Sequence, residues 1–109
     1  MATLSYSQIA IAGTLKATTA AAAGGDKVAP NDRGFLEVTN GSGASITVTV
    51  AVPGNTKYGQ AAPDVAVAVA AGTTRRIGPF PVDLADPTDG LVAITYSAVT
   101  SVTVEALQV

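Results

Sequence analysis

Ser45-Ile46-Thr47-Val48-Thr49-Val50-Ala51-Val52 alternates without a break. Successive side chains of an extended chain point to opposite faces, so Ile46, Val48, Val50 and Val52 share one side and Ser45, Thr47, Thr49 and Ala51 the other. An apolar face backed by a small or hydroxylated one predicts a strand half buried in a core. Pro53-Gly54-Asn55 ends it. The alternation returns over residues 64–70, where Val65, Val67 and Val69 oppose Ala66, Ala68 and Ala70 until Ala71-Gly72 breaks the run.

Shorter runs carry the same two-residue period. Phe35 to Thr39 sets Leu36 and Val38 against Glu37, and with the Asn40-Gly41-Ser42-Gly43 turn it predicts a hairpin of 35–39 with 45–52. Thr73 to Ile77 alternates through Arg75 and Arg76. Leu91 to Ser97 puts Val92, Ile94 and Tyr96 on one side. Thr100 to Leu107 puts Val102, Val104 and Ala106 opposite Ser101, Thr103 and Glu105, with 97–100 as a tight connection. Six such strands, rich in Val, Thr and Ile, predict an all-β fold. The expected architecture is a single antiparallel β-sandwich, immunoglobulin-like or jelly-roll-like, with an extended N-terminal segment; a closed barrel stays open as an alternative.

Residues 1–33 read differently from the sandwich domain at 34–109. They hold Leu4, Tyr6, Ile9, Ile11 and Leu15, an Ala/Thr tract, a Gly24-Gly25-Asp26 break and Pro30-Asn31-Asp32. One reading is edge strands followed by an Ala/Gly-rich loop. The other is an arm that leaves the domain, because the alternations Leu4/Tyr6 and Ile9/Ile11 suit a segment added to a neighbour's sheet edge. The best helical candidate, Ala17 to Ala23, is shorter than an isolated helix needs and is crowded by Thr18-Thr19 and Gly24-Gly25.

Composition excludes more than it assigns. The chain of 109 residues is long enough for one domain and one modest core. It has no cysteine and no histidine, which removes thiol chemistry, Cys-based zinc sites and the commonest general base. A net charge of −2 argues against a nucleic-acid partner. The first charged side chain is Lys16, so no basic stretch precedes an apolar one as in a secretory signal, and no apolar run is long enough to span a bilayer. Synthesis in the cytoplasm is expected. Charged residues make up only 13% of the chain, against about 25% in a typical soluble domain, so part of the surface is expected to be covered by other chains.

No nucleophile–base pair is legible: a Ser–Lys pair would have to use Lys16, Lys27 or Lys57, and nothing around them favours a neutral amine. Asp83, Asp86 and Asp89 are the one acidic cluster. Their spacing is not that of a calcium loop, and turn capping around Pro87 and Gly90 accounts for them. Asn40-Gly41-Ser42 fits a glycosylation sequon, with a turn as the plainer reading. Neither a cofactor nor a catalytic residue is expected. The candidate partner-binding residues are Leu4, Tyr6, Ile9, Ile11, Tyr58 on a Gly/Pro-flanked loop, and Arg75 and Arg76, which serve either as solvated edge charges or as interface arginines.

The run Gly34-Phe35-Leu36-Glu37-Val38-Thr39-Asn40-Gly41, the strand at 46–52, the stretch Ala71-Gly72-Thr73-Thr74-Arg75-Arg76-Ile77-Gly78-Pro79-Phe80, and Asp89 to Ser97 with Val102-Thr103-Val104 resemble small structural proteins of tailed bacteriophages. Some of these are capsid decoration, or cement, proteins. The resemblance covers roughly residues 34–109 and carries over no catalytic residue. It implies a β-rich homo-oligomer, with a trimer favoured, bound in many copies to the major capsid protein on the outside of the virion, with no nucleic acid or membrane as partner. The N-terminal third departs from that pattern or holds a capsid-binding arm. Two other classes stay open: an immunoglobulin-like adhesion module that contacts its target through Tyr58 and the 83–89 loop, and a tail or connector component.

Overall fold

The computed structural model describes residues 2–55 and 57–109, Ala2 by its main chain only. The strands are β1 (Ala2–Leu4), β2 (Ser7–Gln8), β3 (Thr19–Ala20), β4 (Asp26–Val28), β5 (Gly34–Asn40), β6 (Ile46–Val50), β7 (Val65–Val69), β8 (Thr74–Ile77), β9 (Val92–Tyr96) and β10 (Val102–Gln108). A single 3-10 turn at Val82–Leu84 is the helical content of the described residues. One sheet runs β1-β4-β9-β6-β7; the other runs β2-β10-β5-β8, with β3 beside β2 on the same edge of β10. The fold is thus an all-β sandwich, and the shortest dimension of 20 Å fits two layers.

The alternation decides what fills it. Ile46, Val48 and Val50 of β6, Val92 and Ile94 of β9, Leu36 and Val38 of β5, and Val102, Val104 and Ala106 of β10 face inward and are buried. Phe80, from the segment after β8, adds the largest fully buried side chain. Two polar groups share this interior. Asp26 of β4 accepts the Tyr96 hydroxyl at 2.8 Å, and Asn40 closes the turn after β5.

The expected hairpin of 35–39 with 45–52 does not form. Strand β5 pairs with β10 and β8, whereas β6 pairs with β7 and β9. Residues 41–45 therefore arch from one sheet to the other. The cause is Asn40, whose amide is buried rather than exposed at a hairpin tip. Its Nδ2 donates to Ala44 O at 2.8 Å and Val69 O at 3.0 Å, and its Oδ1 accepts the Ser42 N–H and hydroxyl. With its amide so engaged, the sequon reading has no free acceptor nitrogen.

The first 33 residues contribute four short strands. Strand β1 adds parallel to β4, and β2 parallel to β10, so the chain crosses from one sheet to the other between them. These two parallel pairs are the exceptions in an otherwise antiparallel sandwich. The candidate helix at 17–23 contains β3, paired antiparallel with β10. Tyr6 crosses between the sheets with its ring against Gly34, where a Cβ would stand 2.5 Å from Tyr6 Cε1. Its hydroxyl donates to Ala29 O at 2.5 Å.

Burial pushes the Tyr6 phenol up to about 12. Burial, followed by the hydrogen bond and charge of Asp26, raises the Tyr96 phenol further. Both keep protons that an unfolded chain releases from about pH 10 upward. Their contribution to stability is whole below that pH and is lost as pH rises through the folded values. Denaturant midpoints measured in steps from pH 9 to pH 12 are expected to fall, and to fall less steeply in Tyr96→Phe. An identical slope in the variant would remove Tyr96 from this account.

Candidate functional site

The outer face of the β10-β5-β8 sheet holds the densest set of charges among the described residues. Inward-facing Leu36 and Val38 turn Glu37 outward, and Val104 and Ala106 do the same for Glu105. The register sets Glu37 directly opposite Glu105. Like charges at facing positions repel, so neighbours must compensate them. Arg76, opposite Glu37 on β8, donates Nε to Glu37 Oε2 at 3.2 Å. Lys16 bonds Glu37 Oε1 and lies 4.0 Å from Glu105 Oε1, while the Ala17 N–H donates to Glu105 Oε2 at 2.9 Å. Both carboxylates are thus buried beneath the loop that joins β2 to β3.

That loop, residues 9–18, lies on the sheet the wrong way round for a simple cover. A covering loop ordinarily turns its aliphatic side chains inward and its lysine to water. Here Lys16 points in, while Ile11 is fully exposed, Leu15 is 89% exposed and Ile9 is 46% exposed. An open groove of about 340 Å³ runs between the loop and the sheet, bordered by Ile9, Leu15, Lys16, Glu37, Glu105 and Leu107 among others. Each aliphatic group left in water forgoes about 1.5–3 kcal/mol of burial.

Lys16 is the pin of this arrangement. Lys16→Gln leaves the two carboxylates facing each other with Arg76 on Glu37 and the Ala17 N–H on Glu105 as their remaining partners. The expected cost is about 1–2 kcal/mol, kept below that of a fully buried pair because the ammonium is half exposed. In a Glu105→Gln background the same change should cost less, since the repulsion it uncovers is already gone. Urea melts of the four proteins would check this, and equal losses in both backgrounds would contradict it.

The other sequence candidates are scattered. Leu4 and Tyr6 are half buried against the core rather than presented outward. Arg76 pairs with its own chain's Glu37, and Arg75 faces the opposite way, beside a cleft between β7 and β8. Tyr58 is 86% exposed, with Lys57 Nζ 5.9 Å from its ring centroid. Asp86 accepts the Thr88 N–H at 2.8 Å, and Asp89 accepts the Leu91 N–H at 3.0 Å and pairs with Lys27. Those bonds, the Lys27 hydrogen bond first, hold the Asp89 carboxyl below its ordinary range. Among the described residues no three acidic side chains gather as metal ligands would.

Sequence reasoning missed Lys16 and Leu15 as site residues, because nothing local says which way a loop turns. Comparison with known proteins adds no assignment: no family model matches the chain, and no curated protein or solved structure is similar to it.

Proposed function

We propose that this protein is a non-enzymatic capsid decoration protein, a cement bound to the outer surface of a tailed-phage head through the major capsid protein. The observation that carries the reading is the inverted loop. Two aliphatic side chains, Ile11 and Leu15, are held in water on a base of ion pairs that uses the only cationic residue of the segment. Such a patch is stabilising only when something apolar covers it. The low charge of the chain and the resemblance over residues 34–109 support the same reading. So does the state of the facing carboxylates Glu37 and Glu105, which are engaged by cations and an N–H rather than open in a cleft.

Each copy contributes a modest contact, and repetition over a shell multiplies it. The test is co-sedimentation of the purified protein with heads stripped of it. Binding at a fixed ratio to the capsid subunit is expected, together with better survival of heads under heat or osmotic shock. Ile11→Asp/Leu15→Asp, in exposed positions, is expected to weaken binding at least tenfold without changing the melt. Protein left in the supernatant, or binding indifferent to those two changes, would overturn the reading. Loss of binding in Tyr58→Ala instead would favour the adhesion module.

A further inference from the structure

The sandwich is laced by β1 to β3 along one side and ends on the other in two strands, β7 and β8, each paired on one edge only. Strand β8 carries Arg75 and Arg76, charges that discourage a further strand from adding. Strand β7 reads Val65-Ala66-Val67-Ala68-Val69 and has no such guard. We propose that β7 is the docking edge for β7 of a second copy of this chain, the two strands pairing antiparallel about Val67. The proposal does not depend on the shell reading.

The main chain fixes which groups are free. Ser97 N–H bonds Thr47 O, and Ala51 N–H bonds Ala93 O, so the odd-numbered residues of β6 look toward β9. By alternation Ile46, Val48 and Val50 look toward β7 and meet Val69, Val67 and Val65. The N–H and C=O groups of Ala66 and Ala68 therefore point away from the sheet, where no strand of the described residues lies.

The sequence of β7 is the same in both directions, and this makes it complementary to itself. About a two-fold axis at Val67, Ala66 of one copy faces Ala68 of the other, and each such pair exchanges two main-chain hydrogen bonds. Val65 faces Val69, and Val67 faces its own twin in the narrow, non-hydrogen-bonded position. Arg75 and Arg76 line the same cleft, so the pair brings cations of the two copies to one side and is expected to tighten as salt is raised. Within the paired strands themselves no like charges meet. Asp64 falls opposite Ala70, and its carboxylate already accepts the Val52 N–H at 2.9 Å.

The side chains also gain cover. Val65 and Val67 face the cleft of about 340 Å³ that opens between the sheets, floored by Ile77, Phe80 and Leu84. Val65 is 48% exposed there, because the opposite sheet stops short. In the pair, the two clefts face each other and each copy's valines close the mouth of the other. Five residues a side is well below the ~1,200 Å² of a stable complex, so the expected Kd is roughly 0.1–1 mM. The proposed assembly is two-fold, whereas the resemblance to phage structural proteins implies a trimer.

The chain has no cysteine, which allows a register-specific test. In Val67→Cys the twin Cα atoms would stand about 4.5 Å apart, within disulfide reach. In Val65→Cys the twins would lie four residues apart along the strands, roughly 13 Å, out of reach. Under mild oxidation of protein near the Kd, Val67→Cys is expected to form disulfide dimers at least tenfold faster than Val65→Cys. Ala68→Pro in the Val67→Cys background should abolish the dimer, since it deletes an outward N–H that the folded monomer does not use. If Ala68→Pro alters the melt of the monomer, Val67→Lys must dissociate the pair in sedimentation equilibrium instead. Equal cross-linking at both positions, a trimer, or a wild-type monomer at about 2 mM would overturn the proposal.

Discussion

Asn40→Asp is expected to cost at least about 4 kcal/mol, a large part of the 5–15 kcal/mol that holds a domain of this size together. The Asn40 side chain is fully buried and every part of its amide is used. Aspartate keeps the acceptor that receives Ser42 but replaces the donor with oxygen. That oxygen would face the carbonyls of Ala44 and Val69 with no proton between them. The burial of an unpaired negative charge adds to the loss of two hydrogen bonds. Its position matters as much as its chemistry, because Asn40 N–H also bonds Thr73 O, and Asn40 O accepts Gly72 N–H. One residue thus fastens the arch at 41–45 to the turn that leads from β7 to β8. Asn40→Ala, which inserts no charge, should cost about half as much. Urea midpoints with an unchanged m-value would measure both, and near-wild-type stability of the aspartate variant would refute the role given to Asn40.

Phe80→Ala is the second large effect, expected at about 3–5 kcal/mol. Phe80 is 1% exposed and pairs through its main chain with Asn31, at the place where the 3-10 segment meets the sandwich. Its ring also floors the β7–β8 cleft. Truncation removes buried apolar surface and joins the vacated volume to a cleft that is already open, so water can enter and the walls have little reason to collapse. Phe80→Leu, which keeps most of the volume, should lose less than half as much. Calorimetric melts of the three proteins distinguish this from a mere loop contact, for which alanine and leucine would behave alike and lie close to wild type.

The strands with a strict two-residue period were legible to within two residues at each end. Residues 45–52 resolve to β6, 64–70 to β7 and 91–97 to β9. Alternation reports which side chains share a face, and it also set Glu37 and Glu105 correctly on the outer one. It does not report which strand lies alongside. The Asn-Gly pair after β5 carries the chemistry of a turn, yet the destination of that turn depended on the burial of Asn40 by Val69, some 29 residues away.

For the N-terminal strands the sequence offered edge strands within residues 1–33 as one of two readings, but no bounds and no partners. Strands β2 and β3 have two residues each, all exposed, and β4 hides an aspartate at the inward position where the pattern asks for an aliphatic group. Its partner, Tyr96, is 70 residues distant. Likewise, Lys16 could be seen as a lone cation but not as the counter-ion of two carboxylates brought together by the pairing of β5 with β10.

The parallel alignment of β2 with β10 has a mechanical meaning. Traction applied from the Leu4 side and from Val109 slides these two strands past each other along their length. Their cross-links, including the bond from Ile9 N–H to Gln108 O, are then stretched together instead of being peeled one after another. The route of β2 back beside β10 makes the line from Ser7 to Gln108 a stiff direction of the molecule.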